Sequence, residues 1–128
     1  MPRFILLDHT GAPDDSTGRH FDLLLEAGEA CHTWRLEAIP EPGGEAVAAV
    51  EMVPHRLAWL DHGAGEVSGG RGFARRVDGG TYDWIEPRGS ERPKAAASVA
   101  RIEGVLLAGT LVIERTGEGV SVRCLADE

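Results

Sequence analysis

The feature that most limits what this chain can fold into is its rhythm of short extended segments, each closed by glycine or proline. Arg3 to His9, His20 to Glu26, Cys31 to Glu37, His55 to Asp61, Phe73 to Val77, Thr81 to Ile85, Ser98 to Ile102, Thr110 to Arg115 and Val120 to Leu125 all read as strands. Between them lie turn-forming runs such as Ala27-Gly28-Glu29-Ala30, Asp78-Gly79-Gly80 and Thr116-Gly117-Glu118-Gly119, the first two short enough to make hairpins. Many short strands joined this tightly pair with antiparallel neighbours and need a common inner face, which means a barrel or a sandwich. One stretch breaks the pattern. Glu45 to Met52, with Ala46, Ala48 and Ala49, is expected to form a short helix ending by Val53, because Pro54 disfavours helical geometry in the residue before it. Pro87 to Lys94 is expected to be loop.

A length of 128 residues with 42% hydrophobic content suits one compact domain with a substantial core, and no repeat, low-complexity tract or linker suggests a second. No apolar run approaches the roughly 20 residues that cross a bilayer, and Met1-Pro2-Arg3-Phe4 leads into a strand rather than a signal-peptide pattern. A cytoplasmic monomer is the expectation. Cys31 and Cys124 lie far apart with no CxxC spacing, so reduced structural thiols are expected.

Chemistry concentrates at Arg19-His20-Phe21-Asp22-Leu23-Leu24-Leu25-Glu26. Side chains two apart on a strand share a face, so His20 and Asp22 converge while Phe21 and Leu23 take the other side. His9, closing the apolar run Phe4 to Leu7 and joined to His20 by the loop Thr10 to Arg19, supplies a third ligand. Two imidazoles and a carboxylate are borderline donors suited to zinc, manganese or iron. The alternative is an exposed polar face whose histidines bond to neighbours. Glu26 shares the parity of His20 and Asp22, and is either an acceptor that fixes an imidazole tautomer or a solvated strand end.

A second cluster, His55-Arg56 with Asp61-His62 behind it, offers an imidazole for proton transfer and a guanidinium for charge developing on phosphorus. Arg71 lies in Ser68-Gly69-Gly70-Arg71-Gly72, where glycines would let backbone amides approach a phosphate, although neither GxxxxGK[ST] nor GxGxxG is present and a tight turn explains the run as well. Trp34, Trp59 and Trp84 each fall in an expected strand and read as core or rim; stacking on bases would require exposure beside arginines. No GxSxG elbow supports a serine hydrolase. The formal charge of -8 opposes broad nonspecific attraction to nucleic acid but leaves room for a local arginine-lined site.

Taken together, His20-Phe-Asp-Leu-Leu-Leu-Glu26, Thr33-Trp34, His55-Arg-Leu-Ala-Trp-Leu-Asp61, Gly65-Glu-Val-Ser-Gly-Gly-Arg-Gly72 and Asp78-Gly-Gly-Thr-Tyr82 resemble the 3'-phosphoesterase domain of bacterial DNA ligase D and its small stand-alone relatives. The resemblance covers His9 to Tyr82. It implies a mainly β, compact antiparallel β-barrel with at most one or two short helices. It also implies metal-dependent removal of 3'-phosphates and 3'-terminal ribonucleotides from DNA ends, with manganese favoured. The metal ligands it implies are His20, Asp22 and His9, although ligase-linked members have a shorter interval between the two histidines. The arginine it places before a Leu-Ala pair is Arg56, and the histidine that follows in the family's order is His62, with His55 on the other side of Arg56 as the alternative. Where the family's HxDxRLE has arginine, this chain has Leu24. Arg35 or Arg71 would then have to supply the missing phosphate contact.

The expectation is a manganese- or zinc-dependent phosphoesterase with nucleic-acid 3' ends as substrate. Ligands are His9, His20 and Asp22; catalytic residues are Arg56 and His55 or His62; phosphate contacts are Arg56, Arg71 and Arg35. A noncatalytic binding or scaffolding relative that meets another DNA-repair protein, or a phosphatase for small phosphoesters, are the alternatives.

Overall fold

The computed structural model describes residues 1–86 and 96–127. Its nine strands are β1 (Arg3–Thr10), β2 (Arg19–Ala27), β3 (Ala30–Leu36), β4 (Val47–Arg56), β5 (Ala64–Glu66), β6 (Phe73–Glu86), β7 (Ala97–Glu103), β8 (Ala108–Thr116) and β9 (Gly119–Leu125), with a 3-10 helix at Leu57–Asp61. They form one antiparallel sheet in the order β1-β2-β3-β4-β9-β8-β7-β6-β5, and a pairing of β1 with β6 closes it into a barrel. Closure pairs β1 on both sides, β9 pairs with the first three residues of β4, and β5 pairs with the Phe73 end of β6.

The barrel interior is filled by alternate residues from all around the ring, including Phe4, Leu6, Leu23, Trp34, Ile102 and Ile113. Each such side chain, fully buried, contributes about 1.5–3 kcal/mol relative to exposure. β1 and β2 are buried on both faces. Their outward residues Ile5, Leu7 and Leu24 join Cys31, Leu60, Val67 and Ala74 in a second apolar layer, roofed by the 3-10 helix and the segment that follows it. That is why Leu23-Leu24-Leu25 is unbroken where a one-sided strand would alternate.

Three sequence expectations give way. Glu45 to Met52 is not a helix: Val47–Arg56 is strand β4, paired with both β3 and β9. Ala49 faces the barrel interior, and pairing on both sides outweighs the helical preference of three alanines. Pro54 falls where the β3–β4 register shifts, so its missing N–H costs no regular ladder bond. His55 to Asp61 is not a strand, because the chain leaves β4 at Arg56 and coils into the 3-10 helix. Arg76 holds the end of that helix, donating to the carbonyls of Leu60 at 2.6 Å and His62 at 3.1 Å.

Asp78-Gly79-Gly80 is likewise no hairpin turn but the middle of β6, which runs unbroken from Phe73 to Glu86. The buried Asp78 carboxylate accepts N–H groups from Gly79, Val105, Leu106 and Leu107, tying the β7–β8 connection to β6. Gly80 is required because a Cβ there would collide with the carbonyl oxygen of Glu103. The expected loop at Pro87 to Lys94 lies outside the described residues. No helix among the described residues is long and apolar enough to cross a membrane.

Candidate metal centre and cleft

The β1–β2 register sets His9 directly opposite His20 and Leu7 opposite Asp22, and the β2–β3 register sets Asp22 opposite Arg35. His9, His20, Asp22 and Arg35 therefore share the outer face of three neighbouring strands. One donor atom from each of His9, His20 and Asp22 lies within 4.8 Å of the others. His9 Nδ1 is 3.0 Å from Asp22 Oδ2, and His20 Nε2 is 3.3 Å from Asp22 Oδ1. Two donors each about 2.1 Å from one ion at a tetrahedral angle stand roughly 3.4 Å apart. The two imidazole–carboxylate distances are close to that spacing.

Each imidazole is oriented from behind. His9 Nε2–H donates to the carbonyl of Arg71 at 2.8 Å, and His20 Nδ1–H donates to Asp15 Oδ2 at 2.7 Å. With Nδ1 as donor, the lone pair of His20 Nε2 turns toward Asp22, the tautomer a metal ligand requires, whereas His9 Nδ1 shares a hydrogen bond with Asp22 Oδ2 whose proton a cation would displace. His20 Nε2 is buried and has no hydrogen-bond partner; its contact with Asp22 lacks the alignment of a bond. A buried nitrogen left unsatisfied in this way carries a desolvation cost that a coordinated cation would remove. The donor set fits zinc or manganese.

The electrostatics agree with three groups held as one unit. Hydrogen bonding to Asp22 raises the His9 pKa above its ordinary value, against the effect of burial and with help from the Arg71 carbonyl. Burial opposes charge on His20, but the carboxylates of Asp22 and Asp15 outweigh it and raise that pKa as well. For Asp22, burial also opposes charge, and the neighbouring His20 and His9 imidazoles overcome it to hold the carboxyl at about 2. Asp15 is held at about 2 by the Thr17 hydroxyl and by His20. Asp15 therefore stays a carboxylate, able to accept the His20 proton at any ordinary pH.

Two pieces of chain make this arrangement. In the loop between β1 and β2, Asp15 accepts both the N–H and the hydroxyl of Thr17, which turns the loop so that its other oxygen meets His20. In the loop between β5 and β6, Gly72 has a positive φ of 93°, and a Cβ there would strike the carbonyl oxygen of Thr10. This close approach brings the Arg71 carbonyl to His9. Next to the centre, buried Asp8 binds Arg19 through two oxygens at 2.9 and 3.0 Å and Arg75 at 3.4 Å, locking the end of β1 to β2 and β6.

His9 and Asp22 open onto a cleft of about 560 Å³ that also takes in Arg35, His55, Arg56 and Arg71. His55 Nδ1–H donates to the Val53 carbonyl at 3.0 Å, which leaves Nε2 for a ligand. Arg35 reaches Asp14 at 3.3 Å, and the Arg71 guanidinium folds back onto Ser68, while Arg56 is exposed at the rim. His62 does not line the cleft: its Nε2–H is spent on the carbonyl of Ala74 at 2.9 Å. Glu26 lies away from the centre, accepting the backbone N–H of Arg3 at 2.8 Å. The acceptor that the sequence pattern sought at Glu26 is Asp15, whose only signal was a carboxylate in a turn-rich loop before the HxD strand. Leu24 is wholly buried in the outer apolar layer and makes no part of the cleft wall.

No protein-family model matches the chain, and no curated protein matches it.

Proposed function

We propose that the protein is a metal-dependent phosphoesterase acting on nucleic-acid 3' ends, as the resemblance to the ligase D 3'-phosphoesterase domain suggests. The observation that carries the proposal is the buried, unsatisfied His20 Nε2 beside Asp22 and His9, two residues that line a cleft with three arginines. His9, His20 and Asp22 would hold manganese or zinc. Such an ion, when bound, polarises a phosphoryl oxygen and lowers the pKa of water.

The other roles belong to side chains of the cleft. Arg56, exposed at the rim, pairs with phosphate oxygens, and Arg35 adds a second guanidinium from directly beside Asp22. His55 Nε2 donates a proton to the leaving oxygen or stabilises charge that develops on it. The overall charge of -8 confines attraction for the polyanion to this cleft, which suits recognition of an end over coating of a duplex.

The test is purified protein with manganese and a 3'-phosphorylated DNA primer. The expected result is released phosphate together with a manganese-dependent rise in Tm, both lost in His20→Ala. Absence of both the Tm shift and phosphate release in the wild type sinks the proposal. A second reading, a noncatalytic module that meets another DNA-repair protein, is favoured by Leu24, which puts a buried apolar side chain where the resemblance calls for a phosphate-binding arginine. It predicts no turnover on any phosphoester, small ones included.

A further inference from the structure

The cleft holds more than a phosphate needs. Its volume of about 560 Å³ falls within the roughly 300–1,000 Å³ of sites that enclose small organic ligands. One part is polar and carries His9, Asp22, Arg35 and Arg71. Apolar side chains, Met52, Pro54, Trp59 and Val67 among them, line the cleft as well. We infer that the Trp59 wall is a nucleobase subsite, which receives the terminal base of the nucleic-acid end whose phosphate lies at the metal centre. This inference rests on the phosphoesterase reading and names what its substrate must carry beyond the ester.

Trp59 is distinguished from the other two tryptophans by its place. Trp34 is 1% exposed inside the barrel, and Trp84 packs edge-on against Tyr82 with centroids 5.6 Å apart. Neither lines the cleft. Trp59 is half-buried, packed on the outer apolar layer, with the His62 ring 4.7 Å away at 52° and the His55 ring 6.3 Å away at 53°. These contacts fix the indole before any ligand arrives, so little side-chain entropy is lost on stacking. They also give His62 a role away from phosphate, as a support for the indole.

The occupant follows from what borders the wall. Arg56 and His55 lie three and four residues before Trp59 and line the same cleft, so an indole, a cation and an imidazole serve one volume. That combination of stacking platform and arginine is what a base attached to a phosphate requires, and it tolerates any base because every base has a π-face. An alkyl phosphoester would leave the indole bare.

The test compares two 3'-phosphorylated oligonucleotides that differ only at the last residue, one with adenine and one abasic. Fluorescence anisotropy on the metal-free protein gives Kd, and phosphate release with manganese gives KM. The expected result is about tenfold weaker binding of the abasic end, and a matching rise in KM. Trp59→Ala should reduce that discrimination to near unity, and Trp59→Phe should keep most of it. Equal Kd for the two ends in the wild type overturns the subsite even if both are hydrolysed, and needs no variant to fold. Discrimination in Kd without turnover upholds the subsite and rejects the hydrolytic reading. Failure to bind either end, with no phosphate released in manganese, overturns both.

Discussion

His20 and Asp15 meet through Nδ1 and Oδ2 at 2.7 Å, five residues apart in sequence but across the loop between β1 and β2. The pair decides which nitrogen of His20 is free, because a proton committed to Asp15 leaves Nε2 as a lone pair facing Asp22. Acceptors behind a metal-binding imidazole usually matter by about 10–100-fold in affinity. Asp15→Asn should therefore weaken manganese or zinc binding by about that factor while the barrel stays folded. Isothermal titration of each ion into wild type and variant, with circular dichroism as the folding control, measures it. Equal affinities would mean that Asp15 only shapes the loop.

Metal binding at the candidate centre should also depend on pH in a set direction. His9 and His20 both have pKa values raised above the ordinary 6.5, while Asp22 stays ionised down to about 2. A raised folded-state pKa stabilises the metal-free fold fully below the unfolded value of 6.5, and this contribution is lost as pH rises through the folded value. Metal must displace the same protons, so its affinity rises over the window in which they leave. Manganese should lift Tm least near pH 5.5 and most near pH 8.5, while the histidines' contribution to the Tm of the metal-free protein falls above pH 6.5. A Tm shift that does not change across that range would contradict the assignment of both imidazoles as ligands.

Leu24 shares the outward parity of His20 and Asp22 but lies under Leu60, among Ile5, Leu7, Cys31, Val67 and Ala74. Leu24→Arg, the residue that the resembled ligase D domain carries there, places a guanidinium in an apolar layer with no carboxylate built to meet it. A buried charge without a partner costs about 3–5 kcal/mol, which for a domain of this size is a fall in Tm of roughly 10–20 °C. Differential scanning calorimetry should find that fall and no gain in phosphate release. A variant with wild-type Tm and higher turnover would show that the layer opens for an arginine, and that Leu24 is a lost phosphate contact.

Period-two patterning made much of this molecule legible in advance. β1, β2, β3, β8 and β9 fall where alternation and glycine turns put them, and the His20–Asp22 pair needed only the geometry of one strand. What sequence could not supply was long-range cover. The 3-10 helix at Leu57–Asp61 carries the residues of a plausible strand, and only its packing over β1 and β2 explains its shape. Gly79 and Gly80 look like turn residues, yet they sit in mid-strand because β6 passes close to the backbones of Phe4 and Glu103. His9 was found through its loop, but the Arg71 carbonyl that orients it is 62 residues away, and no local pattern encodes that contact.

His55 and His62 were indistinguishable in sequence, flanking the same arginine, and the structure separates them by their hydrogen bonds. His55 bonds the Val53 carbonyl through Nδ1 and keeps Nε2 for the cleft that it lines. His62 uses Nε2 on the Ala74 carbonyl and rests against Trp59. If His55 is the proton donor, His55→Ala should lower kcat for phosphate release by about 10²–10⁴-fold with a smaller change in KM. The loss should be partly restored by added imidazole. His62→Ala removes one hydrogen bond, worth about 1 kcal/mol of stability, and unsettles the indole, so it should act mainly on Tm and KM. Steady-state kinetics of the two variants on one 3'-phosphorylated primer decide the matter, and a kcat loss confined to His62→Ala would reverse the assignment.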